Sequence, residues 1–330
     1  MNPSHPEKSP GIGLITNPHS RRNRAHPGLV QAIVANHPYI HHQITRDRDD
    51  ILRVLQDFAE QGVAVLAING GDGTTSQVFT ELFNKNPFTR FPSIILLPGG
   101  TTNMNVGDVG VRGSLKSALC RMVEWASTGK GRIQRLRRAM LRVEGSLDGK
   151  TTYGMAFGAG TVIRGIEYCH SNVHRMGIKN ELGPGLVTLR TIWGMARKEP
   201  YFSDPTPIRI ELDGLPDPQV REVVLISINS LDRLFLGLKP YWGNEDAPLH
   251  CTWVQKPSHK VMRAFLAVLR GKPNRHVTPE NGYFSHNAQK IQLWLDGTFA
   301  IDGELYHATN EQGPITVSST DEIEFIRINK

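Results

Sequence analysis

No stretch of this 330-residue chain holds the eighteen or more uninterrupted apolar residues that a membrane-spanning helix requires. The opening residues, MNPSHPEKSPG, are polar and proline-rich and lack the apolar core of a secretory signal, so they are expected to form a short flexible lead-in. Only three cysteines occur, Cys120, Cys169 and Cys251, widely scattered and without metal-ligand spacing. An odd, sparse set argues against a disulfide framework and for a reducing, cytoplasmic home. No Gly-Lys-Ser/Thr closes a Walker loop, no G-x-G-x-x-G fingerprint follows a strand, and no G-x-S-x-G elbow presents a nucleophile. Cys169-His170 is adjacency without a third group, so covalent catalysis has little support. His37, His41 and His42 lie close together, yet no carboxylate or cysteine completes a metal set. Internal repeats and low-complexity segments are also missing.

What is present is an ordinary globular composition, 39% hydrophobic, with 38 Lys and Arg against 31 Asp and Glu and a net charge of +7. Such an excess suits an anionic partner: nucleic acid, a nucleotide or an acidic membrane. Lys130, Arg132, Arg135, Arg137 and Arg138 form one basic run, readable equally as a solvated connector. The length is sufficient for two domains.

Up to about residue 130 strands and helices alternate. Gly11–Asn17, Ile40–Thr45, Val63–Asn69 and Ser93–Pro98 are apolar strand candidates. Ile51, Leu52, Leu55, Phe58 and Ala59 recur at helical spacing, a helix is expected after Thr75, and Ser114 can cap another reaching about Ser127. The alternation predicts a mostly parallel sheet covered on both faces, with ligands at the carboxyl ends of its strands. Past about Arg135 the chain reads as short strands separated by Asp-Gly turns at 148–149, 213–214 and 296–297, an antiparallel sandwich or barrel. Helical insertions are expected near Leu186–Ala196 and Ser258–Arg270.

The strongest local signal is NGGDGTTSQVF, Asn69 to Phe79. A buried strand runs into Gly70, Gly71, Asp72, Gly73, Thr74 and Thr75, and a helix follows. Glycines let backbone amides approach a phosphate, and a helix N-terminus adds unpaired donors and partial positive charge. Thr74 or Thr75 can cap that helix and donate to a phosphate oxygen. An aspartate is electrostatically wrong for touching phosphate, so Asp72 is expected to bind Mg²⁺ or accept a proton. The bland alternative is a tight turn in which Asp72 hydrogen-bonds backbone. A second loop, LPGGTTNMNVGDVG from Leu97 to Gly110, follows the next strand.

With the alternation around them, these loops resemble the superfamily of diacylglycerol, sphingosine, ceramide and NAD kinases. Pro98, Gly100, Thr101 and Asn103 match the lipid-kinase loop Leu-Pro-x-Gly-Thr-x-Asn-Asp, which identifies the chain as similar to the diacylglycerol kinase catalytic family. Met104 stands where that family usually has aspartate, and Gly107 where an arginine is common; Asp108 is the nearby carboxylate that could substitute. NPHSRRN (Asn17 to Asn23) resembles the family's opening loop, and Thr45 sits where relatives contact the nucleotide. FAIDGELYH resembles the family's Asp-Gly-Glu, which implies that Asp302 or Glu304 helps deprotonate the acceptor; alone, Asp302-Gly303 reads as another hairpin turn. In KPYWGNEDAPL, Asp246 falls where relatives place an aspartate that joins backbone carbonyls around a structural Mg²⁺, a solvated acidic loop being the alternative.

The resemblance implies a Rossmann-like three-layer α/β first domain of the diacylglycerol and NAD kinase type, over residues 1–134. It implies an antiparallel β-sandwich lipid-substrate domain over 135–298, and a segment 299–330 that returns to the first domain carrying Asp-Gly-Glu. The expected activity is transfer of the γ-phosphate of ATP, with Mg²⁺, to a lipid hydroxyl. Amides of Gly70 to Thr75 and of Gly100 and Thr101 would hold phosphates. The partners implied are ATP and a lipid substrate at the membrane surface, not nucleic acid, with a homodimer left open. The location implied is the cytoplasm, with transient attachment to the inner membrane face through a rim for which Trp193, Trp242 and the 130–138 run are candidates. The alternatives are a NAD kinase-like enzyme with a soluble acceptor and a homologue that binds nucleotide or lipid without turnover.

Overall fold

A computed structural model describes residues 11–168, 190, 191, 193–195, 197, 199–215 and 219–329. Its first compact unit runs to Arg137 and regains the chain from Ile323, while Arg138–Glu322 form the second.

In the first unit, strands β1 (Ile12–Thr16), β2 (Ile40–Ile44), β3 (Val65–Gly70), β4 (Ser93–Pro98) and β5 (Arg132–Arg138) join the terminal strand Ile323–Asn329. The order across the sheet is β2-β1-β3-β4-terminal strand-β5. β1 pairs in parallel with β2 and β3, β3 with β4, and β4 with the terminal strand. Every residue of β1 and β3 is buried, as a parallel sheet covered on both faces demands.

The coverings follow from side-chain alternation. Ile12, Leu14, Val65, Ala67, Ile95 and Leu97 share one cluster with helices α2 (Leu29–Val34) and α6 (Leu115–Thr128); the short α1 (Arg21–Ala25) precedes α2. Gly13 points the other way, where a Cβ would lie 2.4 Å from the ring of Phe58. Phe58 belongs to α3 (Arg48–Glu60), which buries Ile51, Val54, Leu55 and Phe58 and packs beside α4 (Asp72–Asn84). The result is the three-layer α/β domain that the alternation implied. Asp47 caps α3 by accepting from the Asp50 amide at 2.9 Å. Ser114 caps α6, and Gly129, at φ 64°, ends it in the left-handed region.

Three expectations need correction. The helix expected after Thr75 begins at Asp72 with Gly71 as its N-cap, so Thr74 and Thr75 lie inside the first turn and do not cap it. Of residues 299–330, only Ile323–Asn329 enters the first sheet; Asp302 and Glu304 belong to the second unit. From Arg132 onward the basic run is not a solvated connector but β5, the edge strand, where charge discourages pairing with another sheet.

The second unit is all antiparallel. Its strands are β6 (Leu141–Glu144), β7 (Thr152–Gly154), β8 (Ala156–Gly160), β9 (Thr206–Leu212), β10 (Val220–Asn229), β11 (Leu249–Gln255), β12 (Tyr283–Ala288), β13 (Lys290–Trp294), β14 (Gly297–Ile301), β15 (Glu304–Ala308) and β16 (Ile315–Ser319). They run β15-β14-β8-β10-β9-β13-β16-β6-β7, with β11 and β12 branching from β10. One core cluster draws on β6, β8, β9, β10, β11, β13, β14 and β16, the buried interior a sandwich requires. The pairing is nonetheless continuous: β10 meets β9 with its first half, β8 with its second, and β11 along its other edge. Helix α7 (Thr161–Tyr168) follows β8. Of the helix expected over 186–196, residues 190, 191 and 193–195 are helical; the rest of it, with Cys169 and His170, lies outside the described residues.

The terminal strand is held by Phe325, fully buried and edge-on to Phe79 of α4 at 6.1 Å. Phe325→Ala should therefore cost the first unit about 3–5 kcal/mol. Denaturant unfolding followed by a probe in that unit would read the loss.

Candidate active site

Two glycine loops meet at the carboxyl ends of β3 and β4. A Cβ on Gly100 would stand 2.6 Å from the Cα of Gly71, and one on Gly99 would stand 2.6 Å from Asn69 Oδ1 and 2.9 Å from the Gly70 nitrogen. None of these four glycines has positive φ. At Gly99 and Gly100 the opposing loop leaves no room for a side chain, and at Gly70 a Cβ would lie 2.5 Å from the Thr74 side chain. The Gly99 amide donates to the Gly70 carbonyl at 3.1 Å, and the Arg22 amide donates to the Gly99 carbonyl at 2.9 Å, tying in the loop after β1.

At this junction α4 starts. Gly71 offers no side chain, and among the described residues no side-chain oxygen caps the amides of the first turn. Those amides, at Asp72, Gly73 and Thr74, therefore carry the donors and the positive end of a 13-residue helix. The Thr74 hydroxyl accepts from Asn17 Nδ2 at 2.9 Å, which leaves its own proton to donate. The Thr75 hydroxyl donates back to the Gly71 carbonyl at 3.1 Å.

Asp72 does not hang free above this turn. Its Oδ2 accepts the Met104 amide at 3.1 Å and its Oδ1 the Asn105 amide at 3.0 Å, so it caps the first turn of α5 (Met104–Val109). Burial pushes the carboxyl up from its ordinary range, while the two amides pull it down. Met104, where the resemblance expects an aspartate, supplies one of those amides. Asn103 turns the loop in the left-handed region at φ 49°. Its side chain accepts the Gly100 amide at 2.8 Å and donates to the Gly100 carbonyl at 3.0 Å. The Gly100 amide, expected to hold phosphate, is thus occupied within its own loop. Thr101 is exposed beside it. Asp108, the substitute carboxylate, is 1% exposed and turned away from solvent.

Beneath the loops lies a polar layer that sequence reading missed. Asn69 Nδ2 donates to Asn23 Oδ1 at 2.9 Å, and Asn23 Nδ2 to the carbonyls of Asn17 at 2.7 Å and Asn69 at 3.3 Å. Asn17 Oδ1 accepts the His19 amide at 2.8 Å, closing a turn. Thr45, also buried, is joined to the end of β1 by its amide on the Thr16 carbonyl at 3.0 Å. Asn23 sits in the quoted motif, but an asparagine in sequence does not announce burial.

In the second unit, Asp302 and Gly303 form the two-residue turn between β14 and β15, both with positive φ (49° and 88°), a type I′ hairpin. The Asp302 carboxylate accepts the Met155 amide at 3.1 Å and the Ala156 amide at 3.0 Å, and its own amide donates to the Ala156 carbonyl at 2.8 Å. Asp302 is 7% exposed. Glu304, two residues on, is exposed at the start of β15. The Asp-Gly-Glu thus divides into one carboxylate committed to backbone and one open to solvent.

Asp246 is exposed, and no three described His, Cys, Asp or Glu side chains cluster as a metal site. The positioned acid is its neighbour Glu245, bonded to His286 Nδ1 at 2.6 Å and the Asn287 amide at 2.8 Å. Partial burial raises the Glu245 pKa, but the Asn287 amide and the His286 ring outweigh it and bring the value to about 2.

This fold and these loops define an α/β domain with two glycine loops at the carboxyl ends of its parallel strands, and known proteins narrow the class. Residues 11–130 match the family described as diacylglycerol kinase catalytic domain. A probable lipid kinase YegS-like protein of Enterobacter sp. (strain 638) is 30% identical over 106 residues, 32% of this chain and 35% of that protein. A probable lipid kinase YegS of Escherichia coli O127:H6 is 34% identical over 80 residues, 24% of this chain and 26% of that one. The chain thus spans about a third or less of these curated relatives. A solved diacylglycerol kinase from Bacillus anthracis str. Sterne aligns over 99% of this chain and 98% of its own with a TM-score of 0.61. At 18% identity that likeness establishes the fold, including the antiparallel second unit. The family resemblance carried by the loop motifs is borne out over residues 11–130.

Two outcomes follow from the carboxylates. Asp72→Asn can satisfy one α5 amide but turns an NH₂ toward the other, and should cost the first unit about 1–3 kcal/mol in denaturant unfolding. Glu245 has a folded pKa below its unfolded value of 4.5, so its contribution is full above 4.5 and lost as pH falls toward about 2. Acid unfolding of Glu245→Gln should lack that component of the fall in stability; an unchanged acid profile would remove Glu245 from the account.

Proposed function

We propose that the chain is an ATP-dependent lipid kinase that passes the γ-phosphate to a lipid hydroxyl. The observation that carries the reading is the pair of glycine loops locked backbone to backbone beneath the uncapped first turn of α4. Such a turn offers amide donors and positive dipole at one spot, the requirement for holding a polyphosphate. The amides of Asp72, Gly73 and Thr74 and the Thr74 hydroxyl would bind the phosphates. Asn17, Asn103 and the Gly70–Gly71 and Gly99–Gly100 contacts would keep those donors in place.

Phosphoryl transfer needs positioning, charge neutralisation and a taker for the acceptor's proton. In this reading Asp72 and Asp302 position, because both hold adjacent backbone amides. Glu304, exposed and beside the Asp302 turn, would take the proton. Mg²⁺ arriving with ATP would supply the charge neutralisation. The acceptor would be diacylglycerol-like, or a sphingoid base or ceramide, which makes the chain a cytoplasmic protein working at the inner membrane face. None of the described helices is long and apolar enough to cross a membrane.

A second reading, nucleotide binding without turnover, is favoured by Met104 in the place of the family's aspartate. One assay separates the two: transfer of labelled γ-phosphate from ATP with Mg²⁺ to a panel of lipids in mixed micelles, with NAD as a soluble acceptor beside them. A labelled lipid is expected, and Glu304→Gln should lower kcat by about 10²-fold with ATP affinity unchanged. ATP binding with no labelled lipid would overturn the kinase reading, and labelled NAD would name the soluble-acceptor class.

A further inference from the structure

Helix Val261–Leu269 of the second unit, VMRAFLAVL, is apolar on both sides, yet only Ala264 is buried. One stripe is accounted for: Ala264, Ala267 and Val268 pack on a small cluster with Val254, Val277 and Tyr283. The other stripe is Met262, Phe265, Leu266 and Leu269, spaced i, i+3, i+4 and i+7 along one outward face. Met262 is 54% exposed and Leu266 56%, and Phe265 and Leu269 are only half-buried. A water-facing surface gains nothing from such a stripe, and contiguous exposed apolar area marks an interaction site.

The charge around it selects the partner. Lys256, Lys260, Arg263, Arg270, Lys272 and Arg275 are all exposed, and the chain from 256 to 276 holds no Asp or Glu. Among the described residues none of the six forms an ion pair. Their field is felt locally: the His276 ring is discouraged from taking a proton by partial desolvation first, then by Lys260, Arg275 and Arg263. A cavity of about 660 Å³ opens beside the first turn of the helix, with Lys256, Lys260 and Arg263 on one wall and Met195, Pro200 and Asp204 on the other. Trp193 and Tyr201, on the segment forming that second wall, are 49% and 48% exposed.

A second copy of the chain fits this face poorly. A two-fold contact would set one basic rim against its own image with no acid from the segment to offset it. An anionic bilayer satisfies both features, since apolar side chains enter the interface while Lys and Arg meet headgroup phosphates. We propose that helix Val261–Leu269 and its basic rim dock the protein on an anionic lipid surface. The inference goes beyond the kinase reading and stands without it. It also replaces two of the sites suggested by sequence: Trp242 packs inward against the small cluster, and the 130–138 run is a sheet edge.

The test is co-sedimentation of the full chain with vesicles of phosphatidylcholine alone and of phosphatidylcholine mixed with phosphatidylglycerol. The chain should bind the mixed vesicles and lose binding as salt is raised. Met262→Ser with Leu266→Ser should weaken that binding about tenfold or more. Lys260→Glu with Arg263→Glu should do the same. Both pairs are exposed, so circular dichroism and thermal unfolding should stay unchanged. No binding to the mixed vesicles, or equal binding by both double variants, would overturn the proposal. So would a loss of dimer in sedimentation equilibrium on changing Met262 and Leu266, which would make the face a self-contact. Turnover of a short-chain, water-soluble diacylglycerol should be the same in the variants. If the unaltered chain binds vesicles but never phosphorylates that lipid, the kinase reading falls while the docking surface stands.

Discussion

Both units of this protein depend on the same interaction: an aspartate, half-buried in the first unit and buried in the second, whose two oxygens each accept one of two successive backbone amides. Asp72 holds Met104 and Asn105; Asp302 holds Met155 and Ala156. A carboxylate bonded to amides is among the stronger neutral-to-charged pairings, and it fixes direction as well as distance. In the first unit it sets where α5 starts relative to α4, and so the shape of the loop between β4 and α5. In the second it sets where the β14–β15 hairpin crosses the link between β7 and β8.

Glycine supplies the complementary constraint in the first unit. The Gly70–Gly71 and Gly99–Gly100 loops approach until a single added methyl group would strike backbone or the Asn69 amide. That closeness leaves little freedom for either loop to rearrange around a ligand. Donors at the start of α4 are therefore preorganised, which favours binding a charged group without a reorganisation cost. The network of buried Asn23 and Asn69 with half-buried Asn17 serves the same end, since it satisfies loop carbonyls and amides that would otherwise be desolvated and unpaired.

The first domain was legible because its physics is local. Mostly apolar runs such as IGLIT and VLAING, alternating with helical patterns, read as parallel strands covered on both faces, and Ser114 marks the start of α6 as a single residue. The glycine loops were legible for the same reason. What sequence concealed was long-range. That Ile323–Asn329 crosses back beside β4 while Asp302 stays in the second sheet depends on pairings hundreds of residues apart. The basic run gave no hint of being an edge strand, because period-two burial is weak where one edge and much of the surface face water. Asp246 rather than Glu245 drew notice because spacing was matched and partners could not be seen. Asn105, buried in α5, reads in sequence as an ordinary polar residue, and Asp108, read there as a substitute carboxylate, is buried in the same helix.

The two clips also bear on how carboxylates in such a site can be assigned. A group that holds two amides is lost structurally when it is neutralised, so a fall in turnover at Asp72 or Asp302 would report displaced loops as readily as a missing base. Glu304 differs: it is exposed, lies next to the clipped turn, and its position is inherited from Asp302 through the Ile301–Glu304 pairing. Within Asp-Gly-Glu the geometry divides the two acids: the first holds backbone amides and shapes the hairpin, while the side chain of the third is exposed and holds none of them.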